Sequence, residues 1–589
     1  MHDGAGAGGG VSARLSRLRG RLRGLLGANA FLLWAALIGF VGASATVAFR
    51  DALGALQRLL FGHAGAFVTI AAGLPWQVRL LTPALGGLAA GALLVLARRL
   101  AAGARPDYME IVALGDGRVP VRVTLVNSLS SLLSIASGGS IGREGSMIQL
   151  AALSASVIGR TTRLTPPRLR LLVACGAAAG IAAAYNAPIA SAFFVTEIVL
   201  GAMAMESLGP VMVASVVANV TMRHLPGYRP TYEMPAFAQI PGIELPAFVV
   251  LGVLAGLLAP TFLAALQGSR RIFAASSLPL PLRLALGGLG VGSISVWVPQ
   301  VWGNGYSVVN ALLHQPWVWQ AVLAVLGCKV LATLLTCGSG AVGGNFTPTL
   351  FVGAAAGALF ALALHGAWPQ AGAVPAAYVA VGMAAMLAAA TAAPLMAILM
   401  IFEMTLSYQL MLPLMLACVV AHGVARALDG TSMYEITMRR LADEEERARL
   451  RAMRIGELQR PAETVLPETA PLALAADLSR QHLVKYVYLV DAAGRYAGAV
   501  AVHDIAPRLQ DPALVTEACA QLARRDALPL LTAEMHLDEA LRQFMRHHGE
   551  RLPVIDSMTG RILVGAVHKT DLLDAYVRLN RSASTEVHA

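Results

Sequence analysis

Ser140-Ile-Gly-Arg-Glu-Gly-Ser146 sets an arginine and a glutamate side by side between glycines, inside some of the most apolar sequence of the chain. No charged residue occurs from Val123 to Gly142, and after Glu144 the next is Arg160. A chain that avoids charge so consistently has a use for this carboxylate. Uncharged runs recur from Leu171 to Thr196, Val330 to Leu364 and Met404 to Ala425, and about 20 apolar residues suffice to cross a bilayer. Of 589 residues, 56% are hydrophobic and 13% charged, against roughly one quarter charged in an ordinary soluble domain. The chain therefore reads as an α-helical polytopic membrane protein. Several runs are too long, or too rich in glycine and proline, for one straight helix, which predicts broken or tilted helices.

The net charge of +11 does not signal nucleic acid, because the arginines gather at the ends of apolar segments. Arg14, Arg17, Arg19, Arg21 and Arg23 precede the first apolar segment, Phe31 to Phe49, and this positive-inside bias predicts a cytoplasmic N-terminus. The glycines of the first ten residues follow no strand, so they are no dinucleotide fingerprint. The five cysteines show no paired metal spacing and read as inert thiols. The sequence carries no His-Glu-x-x-His, Walker lysine or Gly-x-Ser-x-Gly, so neither a metal site nor an enzyme is expected. A membrane-anchored sensor is a distant alternative.

The apolar sequence repeats itself. Gly176-AAAGIAAAYNAP-IASAFFVT-Glu197 and Gly382-MAAMLAAATAAP-LMAILMIF-Glu403 share their glycine, small-residue run, Pro188/Pro394 and closing glutamate at one offset. Upstream of each lies a glycine-rich turn, residues 142–146 and 344–348. After a basic segment (1–28), the membrane domain (29–440) thus holds two related halves, about 29–225 and 245–430. Duplicated halves with interrupted helices are a transporter design whose site lies where half-helix ends meet. A charged helical linker follows (441–454), then two similar soluble modules, 455–510 and 520–580, and a tail, 581–589. Each module has a β run, an aspartate-led turn, a second β run and an aspartate opening a helix.

A glycine-rich turn before a helix exposes unpaired N–H groups at the helix's positive end, an anion site needing no cationic side chain. Two such turns could aim at one place, and Glu144 beside them would act as a tethered anion that competes with a free one. A structural Arg143–Glu144 ion pair is the alternative; the second turn and the membrane setting favour the gate.

These motifs resemble the CLC family of chloride channels and chloride/proton exchangers, and the soluble modules resemble the CBS-domain pair found on many of them. The resemblance covers nearly the whole chain beyond residue 28. It implies an inverted-repeat helical bundle with broken helices plus a C-terminal α/β CBS pair. It also implies a homodimer with one pore per subunit, chloride or a similar anion as the permeant species, and membrane lipid as surroundings. A cell (inner) membrane with both termini cytoplasmic is expected. By the match, Glu144 is the gating glutamate. Gly142, Arg143, Gly145, Ser146, Gly344, Asn345 and Phe346 line the anion path, and Tyr434 falls where the family has a chloride-coordinating tyrosine.

Three departures bear on function. The family's Gly-Ser-Gly-Ile-Pro falls on Ala102-Gly-Ala-Arg-Pro106, so Gly103 replaces a coordinating serine, which puts selectivity over an anion such as nitrate in doubt. Ser146 replaces a proline. The inner proton-relaying glutamate of the exchangers falls on Ile198, one residue past Glu197, whose echo Glu403 suggests a packing or helix-end role instead; this favours channel-like conduction over chloride/proton antiport. Asp504 and Asp571 are placed to bind the ribose of an adenosine nucleotide, but Ala501 and His568 stand where a hydroxyl residue is usual. Nucleotide binding and a purely dimerising role both stay open, and no other cofactor is expected.

Overall fold

The computed structural model describes residues 8–100, 108–113, 115–200, 205–225, 230–237, 239–368, 375–428, 432–434, 450, 453–511, 514, 516–526, 528–547 and 549–586. The chain divides into two compact units, Met1–Met438 and Arg439–Ala589.

The first unit is helical. Its first half holds α1 (Gly8–Phe61), α2 (Phe67–Gly73), α3 (Trp76–Leu100), α4 (Tyr108–Ala113), α5 (Val121–Ala136), α6 (Glu144–Thr161), α7 (Pro166–Tyr185), α8 (Pro188–Phe194) and α9 (Met205–His224). The second holds α10 (Leu245–Ala275), α11 (Leu280–Trp297), α12 (Tyr306–His314), α13 (Trp319–Gly338), α14 (Phe346–Ala367), α15 (Pro375–Thr391), α16 (Pro394–Thr405) and α17 (Met411–Leu428). Among the described residues, 8 helices are long and apolar enough to cross a membrane.

The two echoed segments are broken helices, and proline makes the break. Pro188 and Pro394 each take the first position of a new helix, where a missing N–H costs nothing, and each bars the preceding residue from helical geometry. Ala187 and Ala393 accordingly share φ −127° and ψ 78°. The residues before them, Asn186 and Ala392, turn left-handed with φ 59° and 58°. The shared glycines also do the same job twice. A Cβ on Gly176 would come within 2.7 Å of the Ala151 carbonyl oxygen of α6, and one on Gly382 would collide with the Gly353 carbonyl of α14. Close backbone approach through small residues is how helices pack without a hydrophobic drive between them.

The closing glutamates reveal how the halves are related. Glu403, at the end of α16, accepts the backbone N–H groups of Ile189 (2.8 Å) and Ala190 (2.7 Å) at the start of α8. Glu197, just beyond α8, accepts the Met396 N–H (3.1 Å) at the start of α16. Each half therefore caps the other's broken helix. Such an exchange requires α8 and α16 to run antiparallel, so the halves are inverted copies. Glu197 lies in a π-helical turn, Val195–Val199, which rotates the residues after α8 out of its α-helical register. The carboxylate is engaged with α16, and the neighbouring Ile198 is buried.

The second unit contains two sheets of one topology. β1 (Val465–Pro467) pairs parallel with β2 (Tyr486–Val490), which pairs antiparallel with β3 (Tyr496–Ala501). β4 (Leu531–Thr532), β5 (Arg551–Ile555) and β6 (Leu563–His568) repeat this, with the same late register shift, at Leu489/Val490 and at Val554/Ile555. The last helix, Lys569–Glu586, continues past residue 580 into the stretch read as a tail.

Removing the Glu403 carboxylate leaves two N–H groups of α8 without acceptors, and hydrogen bonds to a charged group are worth about 1.5–3 kcal/mol. Glu403→Ala is expected to lower the thermal unfolding midpoint in detergent more than Glu197→Ala does, because Glu403 holds two N–H groups at short range. Equal midpoints for both variants and the unaltered protein would contradict the exchange.

Candidate functional site

The two glycine-rich turns meet. Gly142 N–H donates to the Gly344 carbonyl and Gly344 N–H donates to the Gly142 carbonyl, both at 2.9 Å, forming a two-residue antiparallel bridge. The residues that follow, Arg143 (φ −85°, ψ −13°) and Asn345 (φ −94°, ψ −3°), lead into α6 and α14 with nearly the same backbone. The first turns of both helices, with their unpaired N–H groups, thus start from one clasp. Gly145 lies against Gly344, whose Cβ, if present, would sit 3.1 Å from the Gly145 nitrogen.

Glu144 opens α6 and is 1% exposed. Its Oε1 accepts a hydrogen bond from the Tyr306 hydroxyl. Its Oε2 is buried with no hydrogen-bond partner and lies over the bridge, where a Cβ on Gly142 would strike it. Ser146 Oγ, in the same helical turn, is also buried and unpartnered. Unpaired buried polar atoms are costly, and two of them in one helical turn, at a helix N-terminus, mark a place built for a polar occupant. Arg143 does not pair with Glu144; among the described residues it makes no ion pair, and its guanidinium stands 5.3 Å from the centre of the Tyr306 ring, a cation–π distance. The structural ion pair is thereby set aside.

Phe346, the first residue of α14, packs its ring on Tyr185 (5.1 Å) and Phe194 (6.3 Å). Phe194 meets Tyr434 edge-on at 5.7 Å. Residues 432–434 are tied to the end of α15, through Met433 N–H to the Ala390 carbonyl (2.8 Å) and Ser432 Oγ to the Thr391 carbonyl (3.0 Å). Tyr434 therefore joins the site's aromatic wall. The Asn345 side-chain oxygen faces Cys337 Sγ at 3.2 Å. Gly103 and its motif lie outside the described residues.

Three hydroxyl residues that the sequence reading did not select complete the site. Tyr306 opens α12, Thr347 is second in α14 and Tyr185 ends α7. Thr347 Oγ1 lies 3.2 Å from the Tyr306 hydroxyl and 3.0 Å from that of Tyr185, so a hydrogen-bonded row runs from Glu144 through Tyr306 and Thr347 to Tyr185. The overlooked signal was Gly303-Asn-Gly-Tyr306, another glycine-rich turn opening a helix. Arg50, Arg143 and Tyr306 line two cavities of about 580 and 250 Å³.

In the second unit, Asp504 is held by Arg524 (2.8 Å) and His503 (3.1 Å), and Asp571 by Arg460 (2.6 Å). Each arginine stands ahead of the first strand of its own module and grips the aspartate of the other. Burial, with the Arg551 guanidinium nearby, holds His568 below the usual imidazole range despite Asp571.

Among known proteins, the voltage gated chloride channel family model matches residues 86–426. The chain belongs to this family, the CLC proteins. A CBS-domain model matches residues 520–578. A ClcB-like protein of Ralstonia nicotianae is 52% identical over 60% of this chain and 83% of its own length. The voltage-gated ClC-type chloride channel ClcB of Salmonella dublin is 44% identical over 57% and 81%. Among solved structures, a slow cyanobacterial Cl−/H+ antiporter aligns with a TM-score of 0.62 at 27% identity, covering 70% of this chain and 99% of that one. Membership makes the chain a CLC anion-transport protein and its helical unit a CLC fold.

Because a Cβ on Gly142 would meet both the Gly344 carbonyl (2.7 Å) and the Glu144 carboxylate, Gly142→Ala must part the clasp or unseat Glu144. Misplacement on the ångström scale costs function heavily. Chloride flux into liposomes is expected to change by about tenfold or more in this variant, and by less in Gly344→Ala, whose Cβ would meet nothing nearer than 3.1 Å.

Proposed function

We propose that this CLC protein exchanges chloride, or a similar small anion, for protons, with Glu144 as both gate and proton carrier. The observation that carries the reading is the seat of Glu144: a carboxylate over the clasp of two helix N-termini, one oxygen held and one unpartnered. Ionised, it fills the place an anion would take. Protonated, it loses its charge and its claim on the helix dipoles, and a free anion replaces it. Gly145, Ser146, Phe346 and their backbone N–H groups, with Gly142, Gly344 and Asn345 shaping the turns, are the proposed path. Partial charges bind an anion there and still release it. Arg143 and Arg50 would gather anions at its mouth, and Tyr434 would close its far wall.

Antiport is favoured over the channel reading that Ile198 first suggested. The support is the likeness to a Cl−/H+ antiporter across 70% of the chain, and the row of hydroxyls at Glu144, which offers protons hydrogen-bonding groups without an inner carboxylate. Channel-like conduction is the second reading, favoured by the engagement of Glu197 with α16. The protein is proposed to work as a homodimer with one pore per subunit, in a cell membrane with both termini cytoplasmic. The missing hydroxyl at Gly103 makes nitrate the first competitor to test against chloride.

A chloride gradient across sealed proteoliposomes is expected to drive protons in the opposite sense, against their own gradient. A silent proton trace beside measurable chloride flux would leave the channel reading. Flux is expected to rise as pH falls, because protonation releases Glu144, and Glu144→Gln should flatten that dependence and end proton movement. For the CBS pair we propose regulation by an adenosine nucleotide that displaces Arg524 or Arg460 from its aspartate. A thermal shift of the full-length protein with ATP, ADP or AMP is the expected result, and none with any of them would leave the pair a structural clamp.

A further inference from the structure

We propose that the Tyr306 hydroxyl is the latch of the gate: it holds the ionised Glu144 carboxylate in its seat, and breaking this one hydrogen bond is a step in every opening. The inference rests on the reading of Glu144 as the gate and adds the residue that sets how firmly it is shut.

Chemistry fixes the direction of the bond. An ionised carboxylate only accepts, so Tyr306 O–H donates to Glu144 Oε1. Hydrogen bonds to an ionised acceptor are about twice as strong as neutral ones. The hydroxyl also has a second partner, Thr347 Oγ1 at 3.2 Å, so it is not orphaned when the carboxylate leaves. A latch with a parking position can release without leaving a buried donor unpaired.

The rest of Tyr306 is held independently of that hydroxyl. Its ring meets Tyr232 edge-on at 5.1 Å and lies beneath the Arg143 guanidinium. The turn that presents it is fixed from below. Lys329, in the middle of α13 and 1% exposed, sends its Nζ to the carbonyls of Val301 (2.7 Å) and Gly303 (2.6 Å). Among the described residues it has no acidic partner, and an ionisable side chain within a spanning helix is there for a reason. Trp302, fully buried between these two carbonyls, packs its ring against Gly138, where a Cβ would meet it at 2.6 Å. Gly305, left-handed at φ 95°, then turns the chain into α12. Lys329 is thus a positioning residue: it touches neither Glu144 nor the anion path, and it sets the height at which Tyr306 stands.

The test is a cycle in proteoliposomes with the full-length protein, reading chloride flux at neutral pH from the unaltered chain, Tyr306→Phe, Glu144→Ala and the double variant. Phenylalanine keeps the ring contacts and removes the hydroxyl, which is both the latch and a member of the row that reaches Thr347. Tyr306→Phe is expected to conduct about tenfold faster, the low end of what a charge-assisted hydrogen bond supplies. In the Glu144→Ala background the same change should yield a ratio of one, because no carboxylate remains to be held. A Tyr306→Phe flux equal to or below that of the unaltered chain overturns the latch alone. So does an acceleration that persists without the carboxylate, since a general loosening of the site would act in both backgrounds. An unaltered protein that passes neither chloride, nitrate nor fluoride overturns the conduction reading, and the latch with it.

Discussion

Two hydrogen bonds between Gly142 and Gly344 hold the two duplicated turns together at the proposed site. They join the starts of α6 and α14 so that both helices begin from one clasp. Gly142 cannot carry a side chain without disturbing the clasp or the carboxylate above it, and a Cβ on Gly344 would press on the Gly145 nitrogen at 3.1 Å. A reciprocal pair of this kind follows naturally when two copies of one turn face each other across a two-fold relation. The inverted repeat and the proposed anion site are therefore one construction.

Exchange between duplicates recurs through the chain. Glu197 and Glu403 each cap the other half's broken helix. Arg460 and Arg524 each cross to the aspartate of the other module of the second unit. A helix that begins in mid-membrane exposes N–H groups to a medium with no water to satisfy them. Borrowing a carboxylate from the partner copy solves this for both helices at once, and it makes each half's core depend on the presence of the other.

Around the clasp, nearly everything that touches Glu144 is neutral. A hydroxyl, that of Tyr306, donates to the carboxylate, while Arg143 is turned onto the Tyr306 ring and Lys329 onto carbonyls. Donors without net charge stabilise an anion enough to hold it and not enough to trap it, which a conducting site requires. A cation directly opposite Glu144 would have fixed the proposed gate shut.

The sequence by itself determined the membrane class and the duplication with its shared Pro188 and Pro394, and it singled out Glu144. Each of these is written in local chemistry: apolar run length, a ring that forbids an N–H, or a charge where none is cheap. It also singled out Glu197 and Glu403 as a pair with a shared packing or helix-end role, but not that each serves the opposite half. Tyr306, Thr347, Tyr185 and Lys329 come from four different helices, so although Tyr306 and Thr347 stand in glycine-rich turns and Tyr185 in the repeated segment, nothing local shows that they converge. Only the tertiary structure decided that Gly142 lies on Gly344, that Arg143 faces an aromatic ring rather than Glu144, and that a hydroxyl from α12 reaches the carboxylate. Those outcomes depend on the antiparallel docking of two halves, and docking is set by long-range packing that no local window of sequence contains.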